Sequence, residues 1–270
     1  MNFNARKIFI ISILAICVIA INLAVYFQIT KKPAVKEEEG EVIIDTALLT
    51  ENFNNIFDNQ INYQNNNVTS GKIDNTKELI YTSYINNEKI ENSYELNVNI
   101  PYLNQNSDSA QKINEEINNL FYKKVEGILV KTDKYTVYNV KYKAYVNDNI
   151  LSLVISSTLK EGNNPQREIM KTYNYNLSSN DELNIEQILE YRKVSAKYAQ
   201  SKINETIKLA SENANKYKEL GYNKYLRNIN DEMYKVENTS VYFLGENKAL
   251  YIIYAYGNSN YTSEIDLLVI

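Results

Sequence analysis

The sequence of 270 residues contains no histidine and no tryptophan, and it has only one cysteine, three prolines and seven glycines. Without histidine, the chain lacks the commonest general base, the usual partner of a nucleophilic serine or cysteine, and every His-ligated metal site. With Cys17 as the single cysteine, it cannot form an internal disulfide framework either. No Walker loop, Gly-x-Gly-x-x-Gly string or Gly-x-Ser-x-Gly string occurs. We therefore expect a non-enzymatic protein with no cofactor and no bound metal.

The net charge is small and negative. Residues 41–270 carry 24 Lys and Arg against 30 Asp and Glu, which gives a net charge of −6. A mildly acidic domain is a poor match for nucleic acid, or for an anionic lipid surface, as its main partner. The sequence is rich in tyrosine, with 24 residues, and in Asn, Ile and Lys. That combination is typical of an A/T-rich bacterial genome, so aromatic clusters do not by themselves indicate a site.

The sequence has one long apolar run, IFIISILAICVIAINLAVYFQI, which spans residues 8–29 without a charged residue. Its 22 residues match the roughly 20 that cross a bilayer as a helix, and exceed the roughly 7 to 15 of a cleaved signal peptide. Arg6 and Lys7 precede it, which favours an N-terminus inside the cell. We therefore predict a single-pass signal anchor in the cell membrane, with a cytoplasmic tail at residues 1–7 and the main domain extracellular. A cleaved signal peptide is the alternative interpretation.

The chain after the apolar run divides into a tether and a folded domain. Residues 30–77 are mostly polar, and the spacing of apolar residues at 48–61 indicates a short helix within them. Regular alternation and helical periodicity begin near Glu78, so we predict an extracytoplasmic domain over residues 78–270. A subdivision of that domain into 78–132 and 133–270 is left open.

Hydrophobic patterning predicts the element order ββ-α-βββ-α-βββ, an α+β fold in which antiparallel sheets pack with two main helices, in addition to the N-terminal transmembrane helix. Asn86-Asn87 is a good two-residue turn for the first hairpin, and Asp108 with Gln111 fits a capping box at the start of the first helix. The second helix is predicted over residues 185–218. The three middle strands are predicted at 134–146, 149–160 and 166–177, and the last three strands follow residue 240.

Two patterns keep an enzyme open as an alternative. Ser109 and Lys112 have the Ser-x-x-Lys spacing of penicillin-binding proteins, in which the lysine lies one helical turn from the serine, but no companion Lys-Thr-Gly occurs. Adjacent carboxylates are the other pattern, although neighbours in sequence point to different sides of a helix or strand. They occur at Glu115-Glu116, Asp181-Glu182 and Asp231-Glu232. We interpret Ser109 as a first-turn residue and the charged side chains as solvated.

Several stretches of the chain resemble a known family. The first is YELNVNIPYLNQNSDSAQKINEEINNLF, a strand ending in Ile-Pro followed by a helix, and the last is ALYIIYAYGNSNYTSEIDLLVI at the end of the chain. Between them, Ile150–Val154, Tyr173–Leu177 and Leu183–Ile185 match the family's strands and its approach to a long helix. Over about residues 78–270, the chain resembles the ectodomain of the bacterial anti-sigma-V factor and the non-catalytic N-terminal region of a peptidoglycan N-acetylglucosamine deacetylase.

The resemblance implies a binding or sensing domain outside the cell, with a lysozyme-like protein or a cell-wall (peptidoglycan) glycan as its ligand. An acidic domain would suit a cationic protein such as lysozyme. The seven residues before the apolar run, MNFNARK, are too few for a sigma-binding segment, so we do not expect a sigma factor as partner. We expect no deacetylase domain either, because the chain ends with the last predicted strand. A third interpretation is a structural partner of another membrane protein, engaged through residues 8–29 and 48–61.

The stretch LKEGNNPQRE, residues 159–168, holds the loop in which the family carries a glycine pair and a histidine. Here Gly162 remains and the histidine does not. We predict a hairpin connection at the rim of a strand meander, with Tyr173 and Tyr175 nearby on the following strand. The residues predicted to contact a partner are Gly162, Asn163, Asn164 and Arg167.

Overall fold

The strands of the protein form two sheets. The computed structural model describes residues 46–57, 73–74, 76–130 and 133–270. Within them, the larger sheet has six strands hydrogen-bonded in chain order: β1 (Ile80–Ile90), β2 (Tyr94–Leu103), β3 (Thr136–Asn147), β4 (Ile150–Glu161), β5 (Arg167–Asn176) and β6 (Asp181–Glu182). The smaller sheet has three strands, also in chain order: β7 (Tyr242–Leu244), β8 (Leu250–Ala255) and β9 (Ile265–Val269).

Five α-helices lie in the described part of the chain: α1 (Thr46–Glu51), α2 (Asp108–Ile117), α3 (Lys123–Val130), α4 (Ile185–Tyr191) and α5 (Ala196–Glu219). A π-helical turn, Asn118–Tyr122, joins α2 to α3. Short 3-10 turns occur at Phe53–Phe57, Glu232–Tyr234, Val236–Asn238, Glu246–Lys248 and Tyr256–Asn258. No helix in this part of the chain has the length and apolar character needed to cross a membrane. The predicted transmembrane residues 8–29 lie outside the described residues.

Three clusters of buried side chains arrange these elements in four layers, with helices on the two outer sides and the sheets between them. The first cluster joins α2 and α3 to one face of the larger sheet. The second joins the other face of that sheet to the smaller sheet. The third joins the smaller sheet to α4 and α5. Representative members are Ile117 and Val140 in the first cluster, Val154 and Phe243 in the second, and Ile203 and Ile252 in the third.

The prediction of antiparallel sheets is wrong at one junction. β2 and β3 are parallel neighbours, from Tyr94 opposite Thr136 to Val98 opposite Val140. The other strand pairs of the described residues are antiparallel. Parallel neighbours need a long crossover rather than a tight turn, and α2 with α3 supplies it. Alternation along a strand indicates which residues share a face, and not which neighbour the strand joins, so the pattern did not predict this pairing.

The first hairpin turns later than predicted. Asn86 and Asn87 lie inside β1, and the turn follows Ile90. Its residue Asn92 has a φ of 63°, a left-handed conformation that asparagine tolerates better than most residues. The predicted turn after β3 is confirmed, and Asp148 occupies the left-handed position there with a φ of 52°.

Two helix boundaries also differ from the prediction. The N-cap of α2 is Ser107, whose side chain accepts a hydrogen bond from the helix, so Asp108 is the first helical residue rather than the cap. The helix predicted at 185–218 is two helices, α4 and α5. The chain breaks between them because Lys193 takes a φ of 55°, and Ser195 then caps α5.

The segment before β1 contributes to the core. Phe53 and Phe57 belong to the cluster between the two sheets and are 3% and 7% exposed. The short helix predicted at 48–61 is present as α1 and the following 3-10 turn as far as residue 57, and residues 58–61 lie outside the described residues. Part of the predicted tether therefore packs on the folded domain.

The smaller sheet is held on the larger one by hydrogen bonds from buried side chains to the main chain of β7. Ser152 Oγ accepts from Leu244 N at 3.0 Å, and Thr172 Oγ1 accepts from Tyr242 N at 2.9 Å. Asn174 Nδ2 donates to Tyr242 O at 2.8 Å. β7 is an edge strand of its sheet, so these side chains satisfy main-chain groups along its free edge. We call the contacts of Ser152, Thr172 and Asn174 with β7 the seam.

The connection between β8 and β9 docks on β5 in the same way. The side chain of Asn258 accepts from Met170 N at 2.9 Å and donates to Met170 O at 3.0 Å. Arg167 donates to Gly257 O at 3.1 Å from Nε and at 2.9 Å from Nη2. A Cβ at Gly257 would lie 2.0 Å from the carbonyl oxygen of Glu168, so only glycine permits this close approach.

A buried ion-pair network holds the connection between α5 and the smaller sheet. Arg227 donates to both carboxylate oxygens of Asp266, at 3.0 and 2.9 Å, and to Glu264 at 2.8 Å. Tyr256 donates its hydroxyl to Asp266 and stacks on Tyr225, with ring centroids 4.3 Å apart. Burial opposes the charge of Arg227, but its bonds to Asp266 and Glu264 hold its pKa above the ordinary value. The network fixes the path of residues 220–230.

Replacing Gly257 by alanine tests the docking on β5. We expect Gly257→Ala to lower the free energy of unfolding by about 2–3 kcal/mol, because its methyl group would overlap the β5 main chain. Gly127→Ala is the matched control, since nothing lies within 4 Å of a Cβ at this position of α3. It should raise the free energy of unfolding by about 0.4–1 kcal/mol. Urea unfolding followed by circular dichroism measures both, and similar midpoints for the two variants would contradict the close approach.

Candidate functional site

A row of polar side chains crosses one face of the larger sheet. Asn97 of β2 is opposite Asn139 of β3, which is opposite Thr158 of β4. Thr158 in turn is opposite Glu168 of β5. We call these four residues the polar row. Directly opposite residues on neighbouring strands point to the same face, and here it is the face of Val154, which packs against the smaller sheet.

The polar row begins where the smaller sheet ends. Along β4, the residues on this face are buried Val154, then half-buried Ser156 and Thr158. On β5, buried Met170 is preceded on the same face by half-buried Glu168. The part of the face that the smaller sheet covers is apolar, and the part that no described residue covers is polar, as on a sheet face with one hydrated half.

The polar row lines a cleft with a volume of about 340 Å³. Lys141 and Ser156 contribute to the same sheet surface, and Asn54 and Phe57 approach from the segment after α1. The buried ring of Phe57 provides an apolar wall beside amide, hydroxyl and carboxylate groups. The lining is therefore mainly polar, with Phe57 as its apolar member.

Several polar atoms of the cleft have spare hydrogen-bonding capacity. Asn139 Nδ2 donates to Thr158 Oγ1 at 2.8 Å, and Ser156 Oγ donates to Glu168 Oε1 at 3.3 Å. Among the described residues, the side-chain amide of Asn97 and the Oε2 atom of Glu168 have no hydrogen-bond partner. The polar row therefore offers both donors and acceptors to a ligand.

Glu168 and Lys141 determine the charge of the cleft. Burial raises the pKa of the Glu168 carboxyl above its ordinary value, and the hydrogen bond from Ser156 opposes that shift. Glu168 has no ion-pair partner within the described residues. Lys141 lies opposite Ser156, two residues along β3 from Asn139 of the polar row. Its strand, β3, is separated by β4 from β5, which carries Glu168. The cleft thus has a negative end on β5 and a positive group on β3.

The loop predicted to contact a partner is a tight connection between β4 and β5. Gly162 has a φ of 54° and its main-chain amide donates to Tyr135 O at 2.8 Å. The left-handed conformation of Gly162 therefore serves the chain turn between the two strands. Asn164 accepts from the ammonium group of Lys160 through its main-chain oxygen, at 2.6 Å. Asn163 is exposed. The loop therefore uses its main chain for structural hydrogen bonds and presents the side chains of Asn163, Asn164 and Gln166, of which Asn163 and Gln166 are exposed.

The other residues predicted near this loop have structural contacts. Arg167 points its guanidinium group at Gly257 O and lies over the ring of Tyr261, 5.3 Å from its centroid. Tyr173 and Tyr175 are 2% and 1% exposed and belong to the cluster beneath α2 and α3. The two tyrosines are therefore packing residues of the core.

A second cleft, of about 500 Å³, lies beside the loop and includes Asn164. Lys124 pairs there with Glu161 at 2.6 Å, Asp133 and Lys134 also have interaction partners, and a Cβ at Gly162 would lie 3.2 Å from the side chain of Lys134. The polar row is the better candidate because its groups are less fully paired.

The structure brings the two enzyme patterns together at one corner of the larger sheet. Ser109 Oγ accepts from Glu182 N at 3.0 Å and so ties α2 to β6. The charges of Lys112, Lys171 and Glu116 act on the Glu182 carboxylate, and Lys171 pairs with Glu116 at 2.8 Å. No hydrogen bond joins Ser109 to Lys112 in this described region. The corner is thus built from ion pairs and a side chain-to-main chain bond.

The third carboxylate pair is also engaged locally. Asp231 accepts from Met233 N at 3.0 Å, and Glu232 pairs with Lys235 at 2.6 Å. Within the part of the chain that the structure describes, no group of three or more acidic or cysteine side chains is placed to hold a metal ion.

Sequence reasoning did not identify the polar row. Each member occupies an alternate position on a different strand, and a single polar residue in a strand is unremarkable. A usable signal was present along β4, where the residues of one face change from Val154 to Ser156 and Thr158. Asn97 belongs to the row because β2 and β3 are parallel neighbours. The periodicity of the sequence does not predict which strands are neighbours.

Comparison with solved structures finds similarity to the DUF3298 family. A DUF3298 family protein from Pseudomonas aeruginosa PAO1 has 14% identity to this chain, with 67% of this chain and 82% of that chain covered and a TM-score of 0.40. A member of the same family from Bacteroides fragilis has 10% identity, with 65% and 79% covered and a TM-score of 0.31. No family model and no curated protein matches the chain. Similarity at this level carries no argument about the ligand.

The raised pKa of Glu168 predicts a pH-dependent stability. The folded state holds the proton of this carboxyl more tightly than the unfolded state, whose ordinary value is 4.5. The contribution of Glu168 to stability is therefore full below pH 4.5 and falls as the pH rises through the raised pKa. Glu168→Gln should gain stability over the wild type across that window, as measured by urea unfolding at a series of pH values.

Glu237→Gln is the control, because Glu237 is an exposed carboxylate. Its stability relative to the wild type should stay nearly constant over the same pH range. Parallel pH profiles for the two variants would show that the cleft does not perturb Glu168.

Proposed function

We propose that this protein is a non-enzymatic, membrane-anchored extracytoplasmic binding domain whose ligand is a cell-wall glycan held in the cleft. The observation that carries this proposal is the polar row, in which four side chains from four strands line one cleft with unpaired donors and acceptors. The resemblance to the ectodomain family supports the same class of ligand.

The chemistry of the cleft suits a saccharide. Sugar hydroxyl groups both donate and accept hydrogen bonds, and so do the amides of Asn97 and Asn139 and the hydroxyl of Thr158. Phe57 adds an apolar surface of the kind that a sugar ring contacts with its C–H groups. Four strands at the usual spacing extend the polar row over about 14 Å, which favours an extended ligand over a single small group.

The predicted membrane anchor also supports a wall ligand. An anchor at residues 8–29 would hold the folded part outside the membrane, within reach of the cell wall. The absence of histidine and the main-chain hydrogen bond that Ser109 Oγ accepts both favour binding over catalysis.

Binding of soluble peptidoglycan fragments to the full-length protein tests the proposal, with isothermal titration calorimetry as the measurement. Asn97→Ala and Asn139→Ala should each weaken binding about tenfold, the value of one hydrogen bond to a ligand. Asn163→Ala is the matched control, an exposed asparagine in the β4–β5 loop that should leave the affinity unchanged.

The outcomes separate the cleft from the loop. If Asn163→Ala weakens binding and the two cleft variants do not, the loop and not the polar row is the site. If the wild-type protein retains no peptidoglycan fragment, the glycan proposal fails.

A cationic protein of the lysozyme type is the second candidate, favoured by the net charge of −6 over residues 41–270. Electrostatic recognition of this kind weakens as salt screens it, with a Debye length of about 10 Å at 0.1 M. We expect lysozyme to bind the full-length protein at low salt with an association rate that falls as salt rises. A rate that is independent of salt, or no binding at low salt, would exclude this partner.

A further inference from the structure

Glu168 is the one member of the polar row that carries a charge, and the protein does little to neutralise it. Its Oε1 atom accepts a long hydrogen bond of 3.3 Å from Ser156, and its Oε2 atom has no partner among the described residues. A partly buried carboxylate without a cation is costly, so structural carboxylates are normally paired. No cation of the described residues pairs with Glu168, which leaves a ligand as a source of positive charge.

Asp266 is a buried carboxylate with a structural role, and its hydrogen bonds can be compared with those of Glu168. Asp266, which is 8% exposed, receives two hydrogen bonds from Arg227 and one from Tyr256. Glu168, the second residue of β5, is half-buried and receives only the bond from Ser156. This contrast indicates that the Glu168 carboxylate binds a group that is not part of the described chain.

The cations nearest in the fold do not meet this need. Lys141 lies two strands away, about 10 Å across the sheet. Lys160, on β4, donates its ammonium group to Asn164 O at 2.6 Å. Arg167, the neighbour of Glu168 on β5, donates to Gly257 O. Each is committed to another contact or too distant to pair with the carboxylate.

We infer that the saccharide bound in the cleft carries a protonated primary amine, which pairs with the Glu168 carboxylate. This inference rests on the proposed saccharide site and names its specificity. The amine would donate to the free Oε2 atom, while the hydroxyl groups of the ligand bond to Thr158, Asn139 and Asn97 along the polar row. A neutral N-acetyl group at the same position would leave the carboxylate without a cation.

Two matched probes test the inference on the full-length protein: a glucosamine oligosaccharide and the N-acetylglucosamine oligosaccharide of equal length. Titration calorimetry at a series of pH values should show the amine form binding about tenfold tighter where the amine is protonated and the Glu168 carboxyl is ionised, as a charge-assisted hydrogen bond provides. Glu168→Gln should remove this preference and retain binding of the N-acetyl form. Circular dichroism of the variant establishes that it is folded.

A control is needed because a polycation binds an acidic protein through its overall charge. Glu237→Gln removes one exposed negative charge away from the cleft and should keep the tenfold preference. If Glu237→Gln and Glu168→Gln lower the preference equally, recognition is non-specific and the inference is overturned.

The remaining outcomes distinguish this inference from the proposed function. Equal affinity of the wild type for both probes, or tighter binding of the N-acetyl form, overturns the amine and leaves the saccharide site standing. Failure of both probes, together with failure of peptidoglycan fragments, removes the saccharide site itself.

Discussion

The hydrogen bonds of the seam determine where the smaller sheet ends on the larger one. Apolar packing alone permits two sheets to slide, whereas Ser152, Thr172 and Asn174 must each meet a particular main-chain group of β7 or remain buried and unpaired. The seam therefore fixes the alignment of the two sheets. The uncovered part of the larger sheet is a direct consequence, and the polar row occupies it. The cleft exists because the smaller sheet stops short, held at that position by three polar side chains.

The polar groups of this protein fall into two kinds. The seam, the Asn258 contacts with β5 and the Arg227 network are fully paired, and they hold elements together. The groups of the polar row are incompletely paired and lie beside open space. Structural polar groups tend toward complete satisfaction because an unpaired buried group costs more than a made hydrogen bond returns. Incomplete pairing at an accessible position is thus the feature that separates the candidate site from the scaffold, where unpaired side-chain atoms such as Ser157 Oγ and Tyr173 Oη are buried.

Much of the fold was predictable from sequence, and the candidate site was not. Alternation identified the strand that contains Tyr173 and Tyr175, and the apolar stripe identified α2 and α3 through residues such as Ile113 and Val125. Local signals failed where one stretch fits both a turn and a strand. Asn86-Asn87 is a good turn sequence, yet the strand continues through it to Ile90. The predicted contact loop was chosen because of a resemblance, and Arg167 proved to bond to a distant main-chain carbonyl. The polar row depends on register between strands far apart in sequence, which no local pattern encodes.

The parallel pairing of β2 and β3 divides the larger sheet unevenly. That junction has five residue pairs, whereas β3 and β4 share twelve. The β1–β2 hairpin and the β3–β4–β5 meander each form through local turns. Pairing of β2 with β3 depends on the long crossover, and contacts between residues distant in sequence form late in folding. The junction is therefore the natural line of partial opening, and the polar row crosses it between Asn97 and Asn139. A ligand bonded to both amides would connect the two strands across the shortest junction between the long strands of the sheet, and its binding would be detected as slower amide exchange along β2 and β3.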